Sequence, residues 1–140
     1  MKHKLKVVFD TNIYISAIIF GGNPRHCLEL AREKTIYNFV SKSILLEVAE
    51  KLRDKFEWEE NEIQGVIVGI LRYSIVVSPG YKVNIVKEDE EDNRILECAQ
   101  EGKVDMIISG DKRHLLSLGR FGDILIVSAK ELLVMLYRKD

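Results

Sequence analysis

The chain has 140 residues with 21 Lys and Arg against 22 Asp and Glu, a formal net charge of -1, and 46% hydrophobic residues. That length and apolar content suit one folded domain, residues 1–140, with a core of its own, and the near-neutral charge excludes a protein that grips nucleic acid by overall basicity. The apolar stretch Val66-Ile67-Val68-Gly69-Ile70-Leu71 is far shorter than the ~18 apolar residues of a membrane span, and no cleavage site follows the basic start Met1-Lys2-His3-Lys4.

The first predicted element is a strand over residues 6–9, which ends in Asp10-Thr11-Asn12. Helical spacing follows over 13–20 and 24–33, divided by Gly21-Gly22-Asn23, with Pro24 where a helix favours it. A strand at 37–40 leads to a helix over 41–56, with Ile44, Leu45, Val48, Ala49 and Leu52 on one face. A second helix covers 59–72, a strand 75–77, and the turn Ser78-Pro79-Gly80 comes next. Residues 90–101 place Ile95, Leu96 and Ala99 on one helical face, and Gly102 marks the end. A strand at 106–109 runs into Gly110-Asp111, followed by a helix over 112–118, a strand at 124–127 and a helix over 129–138.

Strands that alternate with helices form right-handed βαβ units, so the expected fold is α/β: a three-layer α/β/α sandwich around a central parallel five-stranded sheet. Cys27 and Cys98 form no Cys-x-x-Cys pair, and His3, His26 and His114 lack helical metal spacing. Neither a disulfide framework nor a zinc site is therefore expected, and the reducing cytoplasm is the expected compartment.

Four acids, Asp10, Glu47, Asp92 and Asp111, recur where strands end or helices begin or continue. Each has a structural explanation when taken alone. Asp10, Thr11 or Asn12 can cap the following helix, as Asp111 can cap its own. Glu47 and Lys51 are one turn apart and can form a surface pair. The run Glu88-Asp89-Glu90-Glu91-Asp92 can be a solvated loop that complements a helix dipole. Caps do not explain why acids recur at ends that an α/β fold gathers along one sheet edge, where ligands bind. Carboxylates crowded in one cleft repel unless cations neutralise them. Oxygen ligands without His or Cys select Mg2+ or Mn2+, ions that assist phosphodiester hydrolysis.

The ordered blocks Asp10-Thr11-Asn12, Ser41-Lys42-Ser43-Ile44-Leu45-Leu46-Glu47, Asp92-Asn93-Arg94-Ile95-Leu96-Glu97-Cys98-Ala99 and Ser109-Gly110-Asp111-Lys112 resemble the PIN-domain ribonucleases. The likeness is greatest to the toxins of toxin–antitoxin pairs and runs from Val7 to about Leu133. The resemblance implies a parallel sheet with the first strand central and Mg2+- or Mn2+-dependent cleavage of RNA. It also implies an acidic quartet, Asp10, Glu47, Asp92 and Asp111, that holds one or two metals. Asp10 and Asp92 would be direct ligands, with Thr11, Asn12 and Ser109 orienting them. Relatives often carry Asp-Pro-Asp-Asp where this chain has Asp89-Glu90-Glu91-Asp92, which makes Asp89 and Glu91 candidate auxiliary ligands.

Lys112, Arg113 and His114 follow Asp111 and can contact RNA phosphates or simply be solvated. Tyr14 and Phe20 have base-stacking chemistry, but their spacing among Ile13, Ile18 and Ile19 favours core packing. An Asp-dependent phosphatase would need an acid at Asn12, and no P-loop or Gly-x-Gly-x-x-Gly follows a strand. The rival readings are a catalytically inactive module that binds RNA or protein, and a stand-alone RNA-processing nuclease. The expected partners are an RNA substrate, a small antitoxin covering the cleft and a second copy of the chain, with 66–71 as the dimer surface or as a buried helix.

Overall fold

The computed structural model describes residues 4–83, 90–110 and 115–137. Its elements in chain order are β1 (Lys6–Phe9), α1 (Thr11–Ile19), α2 (Gly22–Arg32), β2 (Tyr37–Val40), α3 (Lys42–Phe56) and α4 (Glu60–Arg72). They continue with β3 (Ser74–Val76), α5 (Glu90–Gly102), β4 (Met106–Ile108), α6 (Leu115–Leu118), β5 (Arg120–Phe121), β6 (Ile124–Val127) and α7 (Ala129–Tyr137). The sheet order is β3-β2-β1-β4-β6-β5, parallel throughout except for the antiparallel β5–β6 pair.

Val7, Val8 and Phe9 of β1 and Ile107 and Ile108 of β4 have no solvent exposure, as expected of parallel strands covered on both faces. Helix α5 packs against β1, β2 and β4, and α2 packs against α1 and α7. At the end of α5, Gly102 is required by close approach: a Cβ there would stand 2.9 Å from the Phe39 ring. A buried polar chain ties the layers together. Asn38 Nδ2 donates to Tyr14 Oη at 2.9 Å and to Ser74 Oγ at 2.7 Å, and Ser74 Oγ donates to the Ile70 carbonyl at 2.6 Å.

The fold agrees with the α/β expectation, with one strand more than the five expected. The sixth, β5, has two residues and turns back into β6 through Gly122 at φ +60°, too short to carry a period-two pattern. Tyr14 is fully buried and meets Phe9 edge to face, as the core reading requires. Phe20 departs from it. It sits at the C-terminal end of α1, where the chain turns at Gly21 out of the helix, and is 78% exposed.

Cys27 and Cys98 are free and buried, and burial pushes both thiols up to about 12. Thiolate is the reactive form, so a maleimide or iodoacetamide at pH 8 is expected to label neither cysteine in the native protein and both in denaturant. Rapid labelling of the native chain, followed by mass spectrometry, would show that one of these helices opens readily.

Candidate active site

The site begins with the sheet register. Phe9, Ile108 and Val127 form one row across β1, β4 and β6. One residue further on, the ladder continues through Asp10 N–H to the Ile108 carbonyl and Ser109 N–H to the Val127 carbonyl, each 2.9 Å. Strand order reverses between β1 and β4: β2 and β3 extend one way from β1, β6 and β5 the other way from β4. Asp10 and Ser109 therefore stand at the carboxyl end of the switch point, the place where open α/β sheets bind ligands.

Asp10 occupies the N-cap position of α1, yet its side chain makes no capping hydrogen bond. The carboxylate is 3% exposed and accepts from the Ser109 hydroxyl at 2.8 Å. The capping explanation thus fails for Asp10, whereas Ser41 does cap α3 by accepting from Ile44 N–H at 3.3 Å.

The remaining described acids come from two helices, α3 and α5. Glu47, on α3, lies beside Thr11 and Glu91, and burial pushes its carboxyl up to about 7. The Glu91 carboxyl adds to the rise, while the Thr11 hydroxyl and the Lys51 ammonium oppose it. The Thr11 hydroxyl is buried and makes no hydrogen bond of standard geometry among the described residues, so its effect on Glu47 is that of a nearby dipole. Lys51 Nζ donates to Asn12 Oδ1 at 3.0 Å and lies 3.4 Å from Glu47 Oε1 and 3.7 Å from Glu91 Oε2. Asp92 follows Glu91 in the first turn of α5 and is 5% exposed. These contacts join β4, α1, α3 and α5 into one acidic patch.

Of the residues singled out from sequence, Asp10, Thr11, Asn12, Glu47, Asp92 and Ser109 lie in or beside this patch. Asp111, Lys112, Arg113, His114 and Asp89 lie outside the described residues. Among the described residues no group of three His, Cys, Asp or Glu side chains is arranged to hold a metal ion. The donor set nevertheless fits a hard cation in kind: it consists of carboxylate and hydroxyl oxygens, with neither imidazole nor thiolate in the contacts around Asp10 and Glu47. The Lys51–Glu47 pair forms as its spacing allows, but Lys51 has more partners than the sequence shows. Its spacing to Glu47 was visible, but only tertiary structure brings Asn12 and Glu91 to the same ammonium.

Beside Ser109 a groove of about 480 Å³ runs between α1, the start of α2 and the start of α7, lined by Asn12, Ser16, Asn23, Ser109, Ser128 and Lys130. A larger cavity of about 560 Å³ lies at the amino ends of β4 and β6, around Asp105 and Leu125. That is the opposite sheet edge from Asp10, so its size does not make it the site. Among the described residues no helix is long and apolar enough to cross a membrane.

Comparison with known proteins bears on this geometry. Residues 6–113 match the family described as PIN domain. An uncharacterized protein of Methanocaldococcus jannaschii is 40% identical over 123 residues, covering 84% of this chain and 77% of its own length. Among solved structures, VapBC2 from Rickettsia felis, bound to a DNA fragment from its promoter, superposes with a TM-score of 0.64 at 15% identity, over 89% of this chain and 98% of that one. PAE2754 from Pyrobaculum aerophilum gives a TM-score of 0.64 at 12% identity, over 97% of this chain and 91% of that one. At those identities the likeness concerns the fold.

Proposed function

The chain belongs to the PIN domain family, a family of nucleases, and from that premise we propose that it is a Mg2+- or Mn2+-dependent endoribonuclease, the toxin of a toxin–antitoxin pair. The observation that carries the reading is the buried Asp10 carboxylate, which leaves its helix uncapped and is held by Ser109, with its neighbour Thr11 beside Glu47. Asp10 and Asp92 are the proposed direct ligands, with Glu47 and Asp111 completing the acidic quartet. When bound, the ion supplies Lewis acidity toward a phosphodiester oxygen.

The chain's own groups do the positioning. The Ser109 hydroxyl fixes one Asp10 oxygen and so leaves the orientation of the other defined by the strand end. Burial of Asp10 and Asp92 lowers the local dielectric and strengthens their attraction for a divalent cation. Glu47, whose proton affinity is raised by burial and by Glu91, is suited to exchange a proton near neutral pH. The groove beside Ser109, whose lining also includes Ile13, Pro24 and Ala129, offers some amide, hydroxyl and ammonium groups to a phosphate backbone, and Lys112 and Arg113 are proposed to add to it.

For partners we propose a single RNA strand as substrate, a small antitoxin and a second copy of this chain. The antitoxin follows from the likeness to the Rickettsia felis complex. For the dimer, Val68 and Leu71 of α4 are 46% and 40% exposed, and Ile75 and Val76 continue that apolar surface on the edge strand β3. The buried-helix alternative accounts for Ile63 and Ile70 but not for these side chains.

The test is cleavage of a labelled single-stranded RNA with Mg2+ or Mn2+, with and without chelator. Cleavage that chelator abolishes and added ion restores supports the reading; cleavage indifferent to chelator overturns the metal dependence. In parallel, saturating Mn2+ at about 100 times its Kd is expected to stabilise the native chain by about 2.7 kcal/mol, read as a rise in melting temperature.

A further inference from the structure

We propose that the Lys51 ammonium is a resident counter-ion that fills the outer half of the acidic patch, so that the site takes one divalent cation and not two. The proposal rests on the metal-dependent reading above and concerns its stoichiometry. Lys51 lies on α3, but its ammonium is held by oxygens from three elements: Asn12 Oδ1 of α1 at 3.0 Å, Glu47 Oε1 of α3 at 3.4 Å and Glu91 Oε2 of α5 at 3.7 Å. The ammonium donates one hydrogen bond, to Asn12, and stands at ion-pair distance from the two carboxylates. The side chains of Lys51 and Glu47 are 19% and 13% exposed and that of Glu91 is 55% exposed, so the inner pair is more buried than an i,i+4 pair on a helix surface ordinarily is.

Two carboxylates as close as Glu47 and Glu91 repel each other unless a cation stands between them. A second divalent ion beside Asp10 and Asp92 would draw on those same oxygens, and it would stand a few ångströms from a fixed positive charge. Lys51 therefore meets the charge requirement of the outer acids and denies that position to a metal.

The experiment counts Mn2+ bound per chain by isothermal titration calorimetry in the parent protein, Lys51→Met and Lys51→Arg. The parent is expected to bind one equivalent, Lys51→Met two, and Lys51→Arg one again, because the guanidinium restores the charge. Lys51→Gln, which keeps a donor for Asn12 and removes the charge, is expected to bind two and replaces the Met variant if that one fails to fold. Two equivalents in the parent, or one in both uncharged variants, would overturn the proposal while leaving the nuclease reading standing. No binding in the parent would overturn the metal-dependent reading and this proposal with it.

Discussion

Asp10→Asn is expected to reduce RNA cleavage by about 10³-fold or more, the scale on which a preorganised charge at a reacting centre is lost, while the protein stays folded. Asparagine matches aspartate in shape and keeps an oxygen to accept the Ser109 hydroxyl, so the end of β1 and the start of α1 have no steric reason to move. What disappears is one negative charge at the switch point. The variant's melting temperature without metal should stay near that of the parent. Adding Mn2+ should raise the melting temperature of the parent and leave that of Asp10→Asn almost unchanged. Near-parent cleavage by Asp10→Asn, with normal folding, would remove Asp10 from the chemistry and with it the main support for the site.

The strands were legible because a parallel sheet buried on both faces needs continuous apolar runs, and Val7-Val8-Phe9 and Met106-Ile107-Ile108 are such runs. Their ends were legible for the complementary reason: Asp10 and Ser109 are polar residues placed one step beyond the last fully apolar row. The identity of Asp10 as something other than a helix cap was not legible, since an N-cap aspartate and a ligand aspartate occupy the same place in sequence. Only the Ser109 contact and the missing capping bond separate them. Phe20 shows the opposite failure. Its helical spacing fits an apolar face, but α1 ends at Ile19 and the following turn directs the ring outward. Lys51 belongs to a third class, in which local spacing was read correctly as a pair with Glu47 while the burial and the cross-element partners depend on how α1, α3 and α5 meet.

The position of Asp92 depends on how the start of α5 is secured, and this makes Glu97→Ala the variant with the largest expected effect on stability. Val83 is tied to the middle of α5 by two side chains of that helix. Glu97 Oε2 accepts from Val83 N–H at 2.7 Å and lies 2.9 Å from Arg94 Nη2, and Arg94 Nη2 in turn donates to the Val83 carbonyl at 3.2 Å. Glu97 is 7% exposed and Val83 9%, so its loss leaves an amide and a guanidinium short of their partner in a place water reaches poorly. Removing one member of such a set costs about 3 kcal/mol, which for a domain of this size corresponds to a fall of about 10 °C in melting temperature. Glu97→Gln keeps an acceptor oxygen and is expected to lose about half as much. Glu101→Ala, which removes only the exposed 2.9 Å contact to Gly80 N–H, should stay within about 1 kcal/mol of the parent. Since α5 also carries Asp92 and Glu91, loosening its first turns should weaken Mn2+ affinity by about 10-fold, as loss of support behind a metal ligand does, with cleavage recovering as Mn2+ is raised. A melting temperature for Glu97→Ala within a degree of the parent would mean that this ring of contacts does not hold the helix start.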